Sequence, residues 1–294
     1  MSKIVTTDYT IDKIAAPNLP VAPDQWDRRY QDQFSNVLRL YFNRLDDFIA
    51  RLKTGSGAID GSGLLVPYGA FHQDGATTLS TGITNNSTTP IVVPSTAGFT
   101  PSGTILVESE LINYTAKTST SFTGITRGVY GTTNVAHLAG VNITEALGVA
   151  SPTTSKAVIF TGTDASYGIY LDPAFTSRLI CSTAGVYNFT FSVQMLNFTT
   201  SEDNVTLWFK KNGTDIPFSA GIAQVNSKHG SSPGAQIITW NLIVDMNVAD
   251  YVELYFASDT GNTVCATFPA GVAPVHPVSP SVIMTATFVS ALPA

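Results

Sequence analysis

The chain has 294 residues, a formal net charge of −6 and only 12% charged residues, against roughly 25% in ordinary soluble domains. That length suffices for a packed core without disulfides or metals, and the charge supplies no basic field, which sets aside nucleic acid as the main partner. Thr, Ser, Gly and Asn take the place of the missing charges, a balance that suits strands, turns and surfaces that are uncharged or covered by a neighbouring subunit.

Residues 1–23 end in Pro17, Pro20 and Pro23 and carry Ile4, Val5, Tyr9, Ile11 and Ile14. They are more apolar than a solvated tail requires, so the segment reads as an extended arm laid on another subunit. It has no apolar core of the kind a secretory signal needs, so none is expected. No apolar run approaches the ~20 residues of a membrane span, and no membrane partner is expected. The spacing predicts one helix, from Asp24 to about Lys53 within an anchoring segment 24–55, with Asp24 as N-cap and Asp27 at the third helical position. Phe34, Leu38, Tyr41, Leu45, Phe48 and Leu52 follow a heptad rhythm. Self-association into a bundle would cover that seam, as would docking on the chain's own β domain; a lone helix with so much apolar surface, set apart by a Gly/Ser linker, favours the bundle.

Residues 56–62 are a Gly/Ser linker, and Leu64–Phe71 reads as a short strand. The block 82–146 is a small β unit of its own, with strands expected at 91–93, 104–108, 111–115 and 121–125 and a Gly-rich loop carrying Arg127, Tyr130, Thr132 and His137. From Lys156 onward strands recur as in a β-sandwich: 156–161, 168–171, 177–181, 185–196, 204–210, 235–246, 251–257, 263–268 and 281–289. Tyr187, Phe189, Phe191, Val193 and Met195 alternate with Asn188, Thr190, Ser192 and Gln194, a period of two that puts one apolar face on a core. Asn212-Gly213 marks a hairpin, and Leu242–Glu253 reads as two strands joined by a tight turn.

Candidate chemistry is sparse. Cys181 and Cys265 lie in strand-like runs and are expected to be reduced, buried thiols. His72, His137, His229 and His276 have no metal-ligand spacing, so neither a metal nor a cofactor is expected. Glu108 and Glu110 read as two solvated carboxylates on one face of one strand rather than an acid/base pair. No phosphate loop or nucleophile elbow is present, so the chain is not expected to be an enzyme. Tyr130, Tyr167, Tyr170 and Phe218 are candidate glycan contacts. Trp208 and Tyr251 point away from the core-facing residues of their strands and suit a subunit interface.

Pro67-Tyr68-Gly69-Ala70-Phe71, Ser177-Arg178, Ala184-Gly185-Val186-Tyr187-Asn188-Phe189, Trp208 through Gly213 and Val248 through Leu254 together resemble the C1q/TNF-like jelly roll of virion proteins from tailed, especially marine, bacteriophages. Residues 98–140 resemble a small β module common in phage structural proteins, and Asp27–Tyr30 with Leu38–Phe42 resemble the N-termini of such proteins. The family commonly has Gly in the turn where this chain has Ala249 before Asp250, so a different turn geometry is expected. The resemblance implies a mainly β chain: an N-terminal helix, then a jelly-roll β-sandwich from 64–81 plus 147–294, with 82–146 as an inserted module. It implies a homotrimeric virion structural protein of the capsid-decoration, head-fibre or tail-fibre type, assembled in the host bacterial cytoplasm. Residues 1–53 would attach it to other virion proteins, and Trp208 and Tyr251 would pack at the three-fold axis. The alternative expectation is a carbohydrate-binding module that recognises a host-surface glycan during host attachment.

Overall fold

The computed structural model describes residues 18–20, 25–54, 66–149, 152–272 and 275–292; the side chains of 47–54 and 272 fall outside the description. The arm positions Ile4, Val5, Tyr9, Ile11 and Ile14, the residue Asp24, the linker 56–62 and the seam side chains of Phe48 and Leu52 therefore lie outside the described residues.

The helix spans Arg28–Thr54, starting later than its apolar rhythm suggests. Asp27 is its cap rather than its third residue: the Arg29 N–H donates to Asp27 Oδ1 at 2.8 Å, satisfying one of the amides that a helix start leaves open. Phe34, Leu38, Tyr41 and Leu45 are partly exposed along one stripe, and Tyr30 stacks on Phe34 at 6.1 Å. Trp26, Leu40 and Phe42 are exposed beside them. No helix among the described residues is long and apolar enough to cross a membrane.

Residues 67–292 form a separate unit, mainly β, in which two large antiparallel sheets enclose the main core. Strand Gly185–Asn197 is its axis. Along one edge it pairs with Gly234–Met246 over its whole length. Its other edge is shared: Val282–Ser290 pairs with 186–193 and Thr263–Ala266 with 195–197. From the first branch the sheet continues through Tyr68–Gln73 to Gly162–Tyr167, and from the second through Asn142–Gly148 to Gly103–Val107 and Glu110–Tyr114. The second sheet runs Ile169–Leu171, Leu179–Cys181, Tyr251–Ser258, Asp203–Lys211, Thr214–Asp215, with Gly221–Val225 also on Asp203–Lys211 and Lys156–Ala157 on Tyr251–Ser258.

The predicted alternation holds: Tyr187, Phe189, Phe191, Val193 and Met195 are all buried. They meet Leu207, Phe209, Val252, Leu254 and Phe256 of the second sheet, with Phe191 edge-on to Phe209 at 5.5 Å. Burial of each such ring contributes about 2–3 kcal/mol. The opposite face of the first sheet is uncharged across three successive rows: Asn188 between Ile243 and Thr287, Thr190 between Asn241 and Thr285, Ser192 between Thr239 and Ile283.

Three local expectations differ from what is observed. The run 156–161 is a strand only at Lys156–Ala157; it then crosses from the second sheet, where Val158 N–H donates to Leu254 O, to the first, where Thr161 N–H donates to His72 O. Strand Gly162–Tyr167 reads GTDASY with four exposed residues in its middle, so it carries no period for sequence reading to detect. The two strands within 242–253 form as expected, joined by a tight turn, and belong to opposite sheets. The turn between them keeps the geometry a glycine would take, with Ala249 at φ 68. The Asn-Gly hairpin forms as expected, Asn212 and Gly213 both at positive φ.

The segment 79–143 has a hydrophobic cluster of its own, including Ile91, Phe99, Ile105, Ile112 and Phe122. Its incoming and outgoing chains run side by side, Thr77 opposite Ile143 and Ile83 bridged to His137. Strand Asn142–Gly148 serves both parts, pairing with Gly103–Val107 on one edge and Thr263–Ala266 on the other. A third cluster, with Leu106, Leu111, Leu196, Phe198 and Val264, packs across the join.

Candidate functional site

The outward face of the second sheet carries the aromatic residues singled out for an interface. Trp208 and Tyr251 alternate with buried Leu207, Phe209 and Val252 and so face away from the core. Trp208 lies opposite Tyr255, ring centroids 5.9 Å apart, and its Nε1–H donates to Asp215 Oδ1 at 2.7 Å. Lys210 Nζ sits 4.3 Å above the Tyr255 ring and 3.3 Å from Asp215. The Arg178 guanidinium is layered between Phe175 at 4.0 Å and Tyr251 at 4.4 Å, with Nε 3.6 Å from Glu253 Oε1. Each ring thus has a cation or another ring on it, and each carboxylate has a partner. Most of its charged groups are paired within the face, while Arg178 Nε is buried without a hydrogen-bond partner.

The four glycan candidates do not converge on one site. Tyr130 packs over the third cluster, where a Cβ on Gly148 would fall 2.5 Å from its ring. Tyr167 lies opposite Tyr68 on the neighbouring strand, Tyr170 is exposed on the edge strand of the second sheet, and Phe218 is fully exposed in a tight turn at φ 64. That turn is held rigid: the Phe209 N–H donates to Ser219 Oγ, which itself donates to Ile216 O.

The expectation of two solvated glutamates holds for Glu108, which is exposed, and is overturned for Glu110. Glu108 occupies the turn after Gly103–Val107 at φ 53, whereas Glu110 is fully buried. Glu110 accepts from Arg127 Nε at 2.6 Å and Nη2 at 2.7 Å, from the Gly128 and Val135 amides at 3.1 Å each, and faces His137 Nε2 at 2.8 Å. Burial works to raise its pKa, but the Arg127, Val135 and His137 bonds outweigh it and hold the carboxyl below its ordinary range. His137 Nδ1 lies 2.7 Å from Glu108 Oε2, and Arg127 Nη1 and Nη2 also donate to Thr84 O and Val135 O. Together these bonds clasp the Gly-rich loop 127–137 onto the hairpin 103–114. Sequence reading named all four residues, but only the turn between 107 and 110, which rotates Glu108 outward and Glu110 inward, brings them together.

His137 is therefore not isolated, and neither is His72, which lies 3.3 Å from Asp74 and 3.1 Å from Asp164. His229 and His276 are exposed. Among the described residues no group of three His, Cys, Asp or Glu is arranged to hold a metal ion. Cys181 and Cys265 are free and buried, and burial pushes both thiols up to about 12.

A pocket of about 160 Å³ opens between the clasped loop and residues 228–233, lined by Ser109, Thr132, Thr133, Phe198, Lys228 and Ser231 among others. A second, of about 290 Å³, lies beside Leu106, Glu108, Asn142 and Pro269. No protein-family model matches the chain, and a search of curated proteins returns no significant match.

Proposed function

We propose that this chain is a non-enzymatic structural protein of a tailed-phage virion. It is a homotrimeric appendage of the decoration or fibre type, assembled in the host cytoplasm, anchored to other virion proteins through residues 1–53, and displaying a C1q/TNF-like jelly roll. The family resemblance motivates this reading. The observation that carries it is the outer face of strands Gly234–Met246, Gly185–Asn197 and Val282–Ser290, uncharged over three rows and bearing exposed Ile237, Ile243 and Ile283. A face of that chemistry suits a subunit contact better than open water. The partly exposed stripe of Phe34, Leu38, Tyr41 and Leu45 on the helix supports the same conclusion, as does the outward aromatic face with Trp208 and Tyr251. Light scattering on the full chain at micromolar concentration tests it: the expected mass is three times the 31.2 kDa of one chain, and a monomer overturns it.

A second reading is recognition of a host-surface glycan. It is favoured by the pocket beside Lys228, whose lining includes four Ser and Thr residues. Binding of the full chain to a glycan array, lost in Lys228→Ala with Thr133→Val, would support it.

A further inference from the structure

At the join between the small module and the sandwich, five polar groups meet, one of them a side-chain amide. Gln73 ends strand Tyr68–Gln73 and is 3% exposed; Thr267 follows strand Thr263–Ala266 and is fully buried. Although 194 residues apart, they touch: Thr267 Oγ1 lies 3.3 Å from Gln73 Oε1 and 3.1 Å from Gln73 O. The Gly75 N–H donates to Gln73 Oε1 at 2.9 Å, polarising the amide carbonyl. The Ser281 N–H donates to Thr267 Oγ1 at 3.2 Å. Gln73 Nε2 is buried with no hydrogen-bond partner, an arrangement that native structures rarely keep without a reason.

The fifth group is Glu145, 4% exposed. It lines the same cavity of about 10 Å³ as Gln73, Cys265 and Ser281, room for about one water. Thr100 Oγ1 and Tyr114 OH donate to its carboxylate. Lys117 and Lys156 are the cations that act on it electrostatically. Burial pushes this carboxyl up to about 7, so it can take up or release a proton near neutrality. The Thr267 backbone N–H donates to Glu145 O, which fixes the nucleophile's strand against the acid's.

We propose that Gln73 and Thr267 join in an autocatalytic ester cross-link. Thr267 Oγ1 attacks the Gln73 side-chain carbonyl carbon, and its proton passes to the carboxylate of Glu145, its neighbour on the paired strand. The resulting oxyanion is held by the Gly75 N–H. Glu145 returns the proton to Nε2, the carbon–nitrogen bond breaks, and ammonia leaves. One O–H and one C–N bond are lost, one C–O and one N–H are formed, Glu145 is regenerated, and no redox partner is needed. Loss of ammonia to solvent draws the step forward. The product ties the first strand of the sandwich to its late strands, so the clamp holds against forces that pull the chain from either side.

Mass spectrometry on the full-length chain tests this. The intact mass is expected to fall short of the sequence mass by one ammonia. A protease digest should yield a single linked species containing Gln73 and Thr267, opened by hydroxylamine as an ester is. Glu145→Gln should slow formation, and Thr267→Ala should abolish it. The wild-type mass decides the matter even if a variant fails to fold. An intact mass equal to the sequence overturns the proposal, as does an ammonia loss that maps to Asn212-Gly213, where succinimide formation would release the same molecule.

Discussion

Arg127→Met isolates the clasp. The guanidinium is 6% exposed and Glu110 is fully buried, so the substitution strands a carboxylate that has lost two charge-assisted bonds. Breaking one side of such a pair costs about 3–5 kcal/mol. The Gly128 and Val135 amides and His137 remain on Glu110, which places the loss near the lower end, about 3 kcal/mol. For a β unit of this size that is a drop of about 10 °C in Tm. Replacing both partners by apolar residues, Arg127→Met with Glu110→Leu, removes the stranded charge and should recover much of the loss, with a coupling of about 2 kcal/mol in the double-mutant cycle. Urea unfolding followed by circular dichroism gives the energies, and amide exchange over 127–137 shows whether the loop is the part released. The reasoning is refuted if Arg127→Met costs under about 1 kcal/mol, as an exposed pair would, or if the double variant loses the sum of the two.

Three further outcomes are expected. Glu145 has a folded value of about 7, above its ordinary 4.5, so the folded state binds its proton more tightly. Its contribution is complete below about pH 4.5 and is lost as pH rises through 7, a change of about 3 kcal/mol that Glu145→Gln should flatten in unfolding measured across that window. Cys181 and Cys265 should resist a thiol reagent in the native protein and react together on unfolding, since both are buried and their thiols sit near 12; fast reaction of either would contradict their burial. Leu38→Asp with Leu45→Asp should dissociate the oligomer while leaving the β spectrum intact, because a charge in a helical seam costs several kcal/mol unless paired; an unchanged mass in light scattering would remove the helix from the interface.

What the sequence made legible was whatever repeats at short range. The alternation from Tyr187 to Met195 located the axial strand within a residue of its observed end, and Asn212-Gly213 placed a hairpin because only positive φ closes that turn. Gly162–Tyr167 escaped because its side chains are small and mostly exposed, leaving pairing with Tyr68–Gln73 as the sole reason it is a strand. The pairing of 142–148 with 263–266 was equally hidden, since register between distant strands leaves no local mark. Glu110 was misjudged for the same cause. Its burial depends on Arg127 and His137 arriving from the far end of a loop, so a residue two positions from an exposed glutamate could be the most enclosed charge in the module. The Gln73–Thr267 contact, 194 residues apart, lies further still beyond pattern reading.

The central claim is that this chain is a structural part of a virion, and the most direct measurement is made on particles. Tailed-phage particles purified from cultures producing the chain would be probed with antibody against it and imaged by electron cryomicroscopy. The account predicts that the chain copurifies at fixed copy number and appears as three-fold density attached through its N-terminal segment, and that deleting residues 1–53 removes it. Particles that lack the chain, or that keep it at full copy number after that deletion, would contradict the account.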